Sequence, residues 1–260
     1  MNGKPGIYVP PGWTNVQYIK DPKSKVLAIG YDSKGREQRV YSKKWIEQAT
    51  TEKFSRLKDV EHRYKYFKAK INKFMLSGSL DKNTVMAYMC LIMELLNIRI
   101  GNEVYLAENG SYGLTTLTKK NLKIKNGEYT LEFVGKKGIK HIKLISDRKI
   151  VDFLNNLIRS NKSAYLFCYK TETDEFKNIT SGDINLFIKT HLGEDFTAKD
   201  IRTYSANKIL SNKLKKMKYS NETERKRNIT QAIKETAEEL GNTPSVCKSH
   251  YIDPERIKNY

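Results

Sequence analysis

The stretch Leu240-Gly241-Asn242-Thr243-Pro244-Ser245-Val246-Cys247-Lys248-Ser249-His250-Tyr251, close to the carboxyl end, decides how the rest of the chain is read. Gly241 ends one helix, since a left-handed cap position suits glycine. Thr243-Pro244 opens the next, with a capping hydroxyl followed by a proline at the first helical position. Tyr251 then comes two turns along that second helix. Such a geometry can hold a phenol rigidly at a phosphate, and the chain also supplies cations for that phosphate at Arg99, Lys136 and Arg202.

Working outward, the length of 260 residues allows one large domain or two smaller ones, and 38% hydrophobic content is enough for a real core. Lysine and arginine number 48 against 29 acids, a net charge of +19. That excess favours a polyanionic partner, nucleic acid before a membrane surface; the plain alternative is a solvated lysine-rich exterior. No apolar run approaches the roughly 18 residues of a spanning helix, and no signal peptide opens the chain. Cys90, Cys168 and Cys247 stand apart with no metal-ligand spacing, and the 4 histidines are scattered. The expectation is a reduced, intracellular protein without metal or cofactor.

Residues 1–46 read as a β-rich module. Val26 to Tyr31 is a strand, Asp32-Ser33-Lys34-Gly35 its turn and Arg39-Val40-Tyr41 the return, after a loop at Pro10-Pro11-Gly12. From Thr51, Phe54, Leu57, Val60, Tyr64, Phe67, Ile71 and Phe74 recur at helical spacing. After a break at Ser77-Gly78-Ser79, Asp81 caps a second helix, apolar nearly all round, that runs to Leu96 and includes Cys90 as a core residue. Residues 121–145 form a three-stranded meander with turns at Asn126-Gly127 and Gly135-Lys136-Lys137-Gly138. Helices follow at Lys149–Arg159, at about Gly182–Leu192 capped by Ser181, after Thr197 with a capping box to Asp200, and at Ile229–Leu240. A short strand fits Ala164–Tyr169, and Asn212–Asn228 reads as a helix end plus a loop. The fold class is α+β: a small antiparallel β module over 1–46, then a mainly α-helical domain over 47–260 containing the meander.

Phosphodiester transfer to a side chain needs an in-line nucleophile, positive charge on the non-bridging oxygens and a proton for the leaving oxygen. A phenol is both nucleophile and competent leaving group, so its phosphodiester can be reversed. Two arginines offer forks of N–H donors, and a lysine on a turn can reach the leaving oxygen as general acid. Each residue alone also has an ordinary explanation. Tyr251 is one of 16 tyrosines, Arg99 could serve a helix C-terminus, and Lys136 could be a plain turn lysine. Arg202 could be solvated and Asn242 a companion of the Gly241 cap. Their joint occurrence carries the argument.

In company, these segments resemble the type IB DNA topoisomerases of the compact poxvirus and bacterial kind. Ile98-Arg99-Ile100-Gly101-Asn102-Glu103-Val104-Tyr105, continued by Gly110 to Leu117, resembles the family's first-arginine motif. Phe133-Val134-Gly135-Lys136 resembles its lysine hairpin, and Lys199-Asp200-Ile201-Arg202-Thr203-Tyr204 its second-arginine motif. The opening stretch and Ser249-His250-Tyr251 resemble its terminal motif. Asp32 to Arg36 with Gln38 and Tyr41 resembles its DNA-facing hairpin. The likeness runs in order over about residues 7–254.

The resemblance implies a DNA breaking-rejoining fold and ATP-independent relaxation of duplex DNA by a monomer, in a bacterial cytoplasm or in a virion and its host cell. Tyr251 would form a 3′-phosphotyrosyl link, Arg99 and Arg202 would stabilise the transition state, and Lys136 would protonate the departing 5′ oxygen. Asn242 would donate a hydrogen bond to the phosphate, and Lys199 would assist there. Lys34, Arg36, Gln38, Tyr41 and Tyr105 would contact DNA. Asn242 departs from the histidine of the poxvirus enzymes: an amide donates but does not titrate, so a flatter pH dependence is expected. The family also has more β-structure before Gly6 and more helix after Tyr260. Two other readings stand beside this one. A tyrosine site-specific recombinase would place a histidine where Lys199 stands and would open with helices. A non-catalytic basic DNA-binding protein would account for the charge but not for the ordered motifs.

Overall fold

Val26, Ala28 and Gly30 alternate as the buried face of a strand, and that alternation seeds the first sheet in this computed structural model, which describes residues 6–260. Positions 1–5 of the expected amino-terminal module lie outside the described residues. The strand, β2 (Val26–Tyr31), lies between β1 (Thr14–Tyr18) and β3 (Glu37–Tyr41) in an antiparallel sheet. The Asp32–Gly35 turn closes β2 onto β3, with Gly35 N–H donating to the Asp32 carbonyl at 2.9 Å.

Helix α1 (Lys43–Met75) follows at once and starts well before the expected Thr51. Ser42 Oγ accepts from the Trp45 N–H at 3.3 Å, and Trp45 stacks on Tyr41 with ring centroids 4.3 Å apart. The cap and the stack start the helix one residue after the strand, upstream of the apolar repeat that marked it in the sequence. The chain divides into two compact units, Met1–Lys58 and Asp59–Tyr260, so the division falls within α1.

In the second unit α2 (Lys82–Leu96) is central, with every residue from Thr84 to Glu94 buried. Asp81 caps it by accepting from the Asn83 and Thr84 N–H groups. Around it are α3 (Glu103–Asn109), 3₁₀ turns at Leu114–Thr116 and Lys119–Asn121, and the antiparallel meander β4 (Leu122–Lys125), β5 (Glu128–Val134) and β6 (Lys140–Ile145). Then come α4 (Arg148–Ser160), the hairpin β7 (Cys168–Lys170) with β8 (Phe176–Asn178), α5 (Ser181–Leu192), α6 (Ala198–Leu214) and α7 (Glu222–Leu240). Two short helices, α8 (Pro244–His250) and α9 (Pro254–Lys258), end the chain.

Several boundaries differ from the sequence reading. Thr180, not Ser181, caps α5, because its hydroxyl accepts from Asp183 N–H at 3.1 Å while the Asp183 carboxylate reaches back to Thr180. Of Asn212–Asn228, α6 ends at Leu214 and 215–221 form the expected loop, but α7 starts at Glu222 and takes in the rest: Asn221 Oδ1 accepts from Glu224 N–H at 2.9 Å, and two acids in its first turn suit the helix dipole. Of Ala164–Tyr169, only Cys168 and Tyr169 are strand; Thr118 and Tyr165 make an isolated bridge.

Two hydrophobic clusters result. The larger gathers α2 with Phe67, Leu117, Leu131, Leu154 and Phe167, all at most 1% exposed. Burying each such side chain contributes about 1.5–3 kcal/mol. The smaller joins α6, α7 and α8 through Ala206, Leu210, Ile233, Leu240 and Cys247, with Tyr251 packed at its edge.

Candidate active site

Arg202 is the anchor of the site. The Thr197–Asp200 capping box starts α6, with Thr197 N–H donating to the Asp200 carboxylate at 2.9 Å, and the first turn then delivers Arg202 inward. Only 7% of Arg202 is exposed. Its Nη1 donates to the carbonyl of Asn97, the cap residue ending α2, and its Nη2 to the carbonyl of Leu240, the last residue of α7. Two helix C-termini, each with partial negative charge, therefore converge on one guanidinium. Burial, and after it the nearby Arg99, pulls the Arg202 pKa down to about 10, so the group stays charged at neutral pH. Its Nε is buried with no hydrogen-bond partner among the described residues.

The same α7 terminus places Asn242. Gly241 takes the left-handed cap conformation at φ 61°, and Asn242 N–H donates to the Ala237 carbonyl at 2.8 Å. Asn242 Oδ1 accepts from Arg99 Nη2, which turns the amide nitrogen the other way. That Nδ2 is buried and has no partner among the described residues. Arg99 is fixed by its own backbone: its carbonyl accepts from Leu114 N–H at 2.8 Å, and Ile100's accepts from Thr115 N–H at 2.8 Å. This pairing brings Gly101 against Gly113 so closely that a β-carbon on Gly101 would stand 2.9 Å from the Gly113 carbonyl carbon.

Lys136 stands exposed at the tip of the β5–β6 turn. Gly135 N–H donates to the Ile139 carbonyl at 2.8 Å, and Lys137 and Gly138 take positive φ of 64° and 72°, so the chain reverses sharply under the lysine.

Tyr251 is the cap residue ending α8 rather than a residue within it. Thr243 Oγ1 accepts from Val246 N–H at 3.4 Å to start that helix. The Tyr251 ring centroid lies 5.4 Å from the Arg202 guanidinium carbon. Beneath it Cys247 is fully buried, and burial raises its thiol to about 11, so it stays neutral. The residue that sequence reasoning missed is Asn207. Fully buried on α6, it donates from Nδ2 to the Tyr251 carbonyl at 2.7 Å and accepts at Oδ1 from Asp253 N–H at 2.9 Å. A lone amide in Ser205-Ala206-Asn207, between apolar helix positions, was the available signal, and it pointed to no particular chemistry.

Arg99, Lys136, Lys199, Arg202, Asn242 and Tyr251 thus line one cleft of about 560 Å³. A second cleft of about 580 Å³, beside Lys73, Asp81 and His191, contains none of them. Tyr105 lies on α3, 55% exposed, and is not in the cleft lining. In the first unit the Asp32 carboxylate accepts from Lys34 N–H at 3.0 Å, Arg36 Nε at 2.9 Å and Gln38 Nε2 at 3.0 Å. The Arg36 side chain first, then backbone N–H groups, hold the Asp32 pKa at about 2. Among the described residues no group of histidine, cysteine and acid side chains could hold a metal, and no helix is long and apolar enough to cross a membrane.

The family described as the catalytic core of eukaryotic DNA topoisomerase I matches residues 42–260. A DNA topoisomerase 1B of Acanthamoeba polyphaga mimivirus is 35% identical over 95% of this chain and 75% of its own. A DNA topoisomerase 1B of vaccinia virus (strain Copenhagen) is 30% identical over 91% of this chain and 73% of its own. A solved XerH site-specific recombinase in a post-cleavage complex aligns with a TM-score of 0.44 and 17% identity, over 73% of this chain and 49% of that one. Matched along most of its length by the family and by these viral relatives, the chain belongs to the type IB DNA topoisomerases.

Proposed function

We propose that this cleft transfers a DNA phosphodiester to Tyr251 and back, relaxing supercoiled duplex DNA without metal or ATP. The observation that supports it is the meeting, in one cleft, of a tyrosine, two arginines, a lysine and an amide from five separate segments. The buried Arg202 Nε and Asn242 Nδ2 are donors without an acceptor among the described residues, which a non-bridging phosphate oxygen would satisfy.

In this reading the Tyr251 Oη loses its proton to solvent and attacks phosphorus as the P–O5′ bond breaks. Arg99, Arg202 and Asn242 take up the charge on the non-bridging oxygens, and Lys136, assisted by Lys199 at the phosphate, gives a proton to the departing O5′. The free strand rotates, and the 5′-hydroxyl attacks the phosphotyrosine to reseal. The bond energy is kept in the phosphotyrosine, so no nucleotide is consumed. One chain supplies every group, so a monomer suffices, acting in a virion and its host cell or in a bacterial cytoplasm. Lys34, Arg36, Gln38 and Tyr41 meet DNA from the first unit, and Tyr105 from α3.

Supercoiled plasmid in EDTA without ATP tests this. Relaxation, with Tyr251 recovered on a 3′ phosphate, is the expected result. A gel shift with no relaxation would replace it with a non-catalytic DNA binder, and exchange between two specific sites with a recombinase.

A further inference from the structure

Between the Lys136 turn and the Asn242 loop lies a residue without a role so far, His141. It is 7% exposed and pairs across the strands with Phe133, whose ring it stacks on at 4.9 Å with planes 17° apart. One edge of the imidazole faces Gly135: a β-carbon there would stand 2.8 Å from both His141 Cδ2 and Nε2. The remaining edge faces Gly241, where an added β-carbon would meet Cε1 and would stand 3.1 Å from Nδ1. These glycines immediately precede Lys136 and Asn242. Two residues further along β6, Lys143 Nζ donates to the Glu239 carbonyl in the last turn of α7 at 2.6 Å. Strand β6 is thus docked on the end of α7 at two points, with the ring as the spacer between two segments of the site.

Resting on the function proposed above, we infer that His141 is a positioning residue: its flat, neutral ring sets the separation between the Lys136 turn and the Asn242 loop, and through it the reach of the general acid to the leaving oxygen. The charges around the ring suit this role. Lys143 on its own strand, Arg99 after α2 and Arg202 on α6 are all cationic, and burial first, then these three, lower its pKa to about 4. A charged ring would repel the arginines. An aliphatic residue of lower volume would let the turn settle toward α7.

The experiment compares single-turnover cleavage of two duplexes, one with an ordinary scissile phosphate and one with sulfur at the bridging 5′ position. A thiol with pKa of about 8.5 leaves as thiolate without a proton, so the sulfur substrate does not need the acid. His141→Ala is expected to cleave the ordinary duplex on the order of 10²-fold slower than wild type, the scale of an ångström-size misplacement, and to recover most of that loss on the sulfur duplex. Gly135 has an allowed φ of −96°, so Gly135→Ala strains only against the ring, and it should show the same leaving-group-selective loss if His141→Ala does not fold. In the double variant the losses should be less than additive, since removing the ring makes room for the methyl. A His141→Ala rate within about twofold of wild type on the ordinary duplex, or an equal loss on both duplexes, overturns the inference. Failure of the wild-type chain to cleave either duplex would instead overturn the underlying function.

Discussion

Asn207 Nδ2 donates to the backbone oxygen of Tyr251 at 2.7 Å, while its Oδ1 holds the N–H of Asp253 at 2.9 Å. One buried amide therefore fixes the backbone on both sides of Ile252 and fixes the direction in which the phenol leaves α8. Asn207→Asp keeps the acceptor and loses the donor. It is predicted to slow cleavage roughly 10–10²-fold with duplex affinity little changed, because orientation fails while the basic surface stays. Asn207→Leu would orphan both backbone groups and should lower stability by about 1–3 kcal/mol for each. Single-turnover cleavage, a gel shift and a denaturant melt read the three quantities. Unchanged cleavage in the aspartate variant would remove the orienting role.

Tyr251→Phe removes only an oxygen. The ring can keep its place 5.4 Å from the Arg202 guanidinium, so binding should persist while covalent adduct and relaxation vanish. Relaxation at a wild-type rate would mean that another residue is the nucleophile.

Arg202→Lys is not a conservative change. The guanidinium reaches the Asn97 and Leu240 carbonyls with two different nitrogens and keeps a third donor for a ligand, and an ammonium cannot reproduce that fork. Loss of cleavage on the order of 10²-fold or more is expected, together with destabilisation of about 2 kcal/mol, from hydrogen bonds of a charged group. A variant with full stability and lost cleavage would separate the two roles.

Asn242 accepts from Arg99 and presents Nδ2, so Asn242→Asp replaces a donor by an anion facing the phosphate. Cleavage should fall on the order of 10²-fold or more. Asn242→His restores a donor that titrates, and cleavage in that variant should acquire a pH dependence between about pH 5 and 8 that the wild type lacks. Rate-against-pH profiles of the two proteins decide this.

The buried His141 also predicts how stability changes with acid. Its native pKa of about 4 lies below the ordinary 6.5. Between those values the unfolded chain binds a proton that the native one refuses, so stability falls as pH drops from about 6.5 to 4 and this contribution is constant above 6.5. At about 1.4 kcal/mol per pKa unit, the loss is at most about 3–4 kcal/mol. Chemical denaturation of wild type and His141→Gln at pH 7 and pH 4.5 should show a smaller acid loss in the variant.

Much of this was legible in the chain because it rests on local rules. The strand Val26–Tyr31, the cap at Asp81, the Thr197–Asp200 box and the Gly241 and Thr243-Pro244 signals all act within a few residues, and the structure has each of them. The charged members of the cleft were readable because their side chains advertise a chemistry. What could not be read depends on distant partners. Asn207 and His141 carry no unusual spacing, and only the approach of α8 and α7 gives them work. The start of α7 was hidden because Asn221 and two glutamates sit inside a basic run that resembles a loop. The burial of Arg202 beneath two helix ends has no local signature.

Tyr251, the proposed nucleophile, packs against the smaller cluster, built by α6, α7 and α8, while the larger cluster is complete by Ile201. A ribosome makes the chain in that same order. The greater part of the core is therefore in hand before the segment carrying Tyr251 exists, and the last helices close over it, with Arg256 of α9 pairing with Glu61 of α1. On the proposed role of Tyr251, the growing chain has most of its core before it has the phenol that would cut.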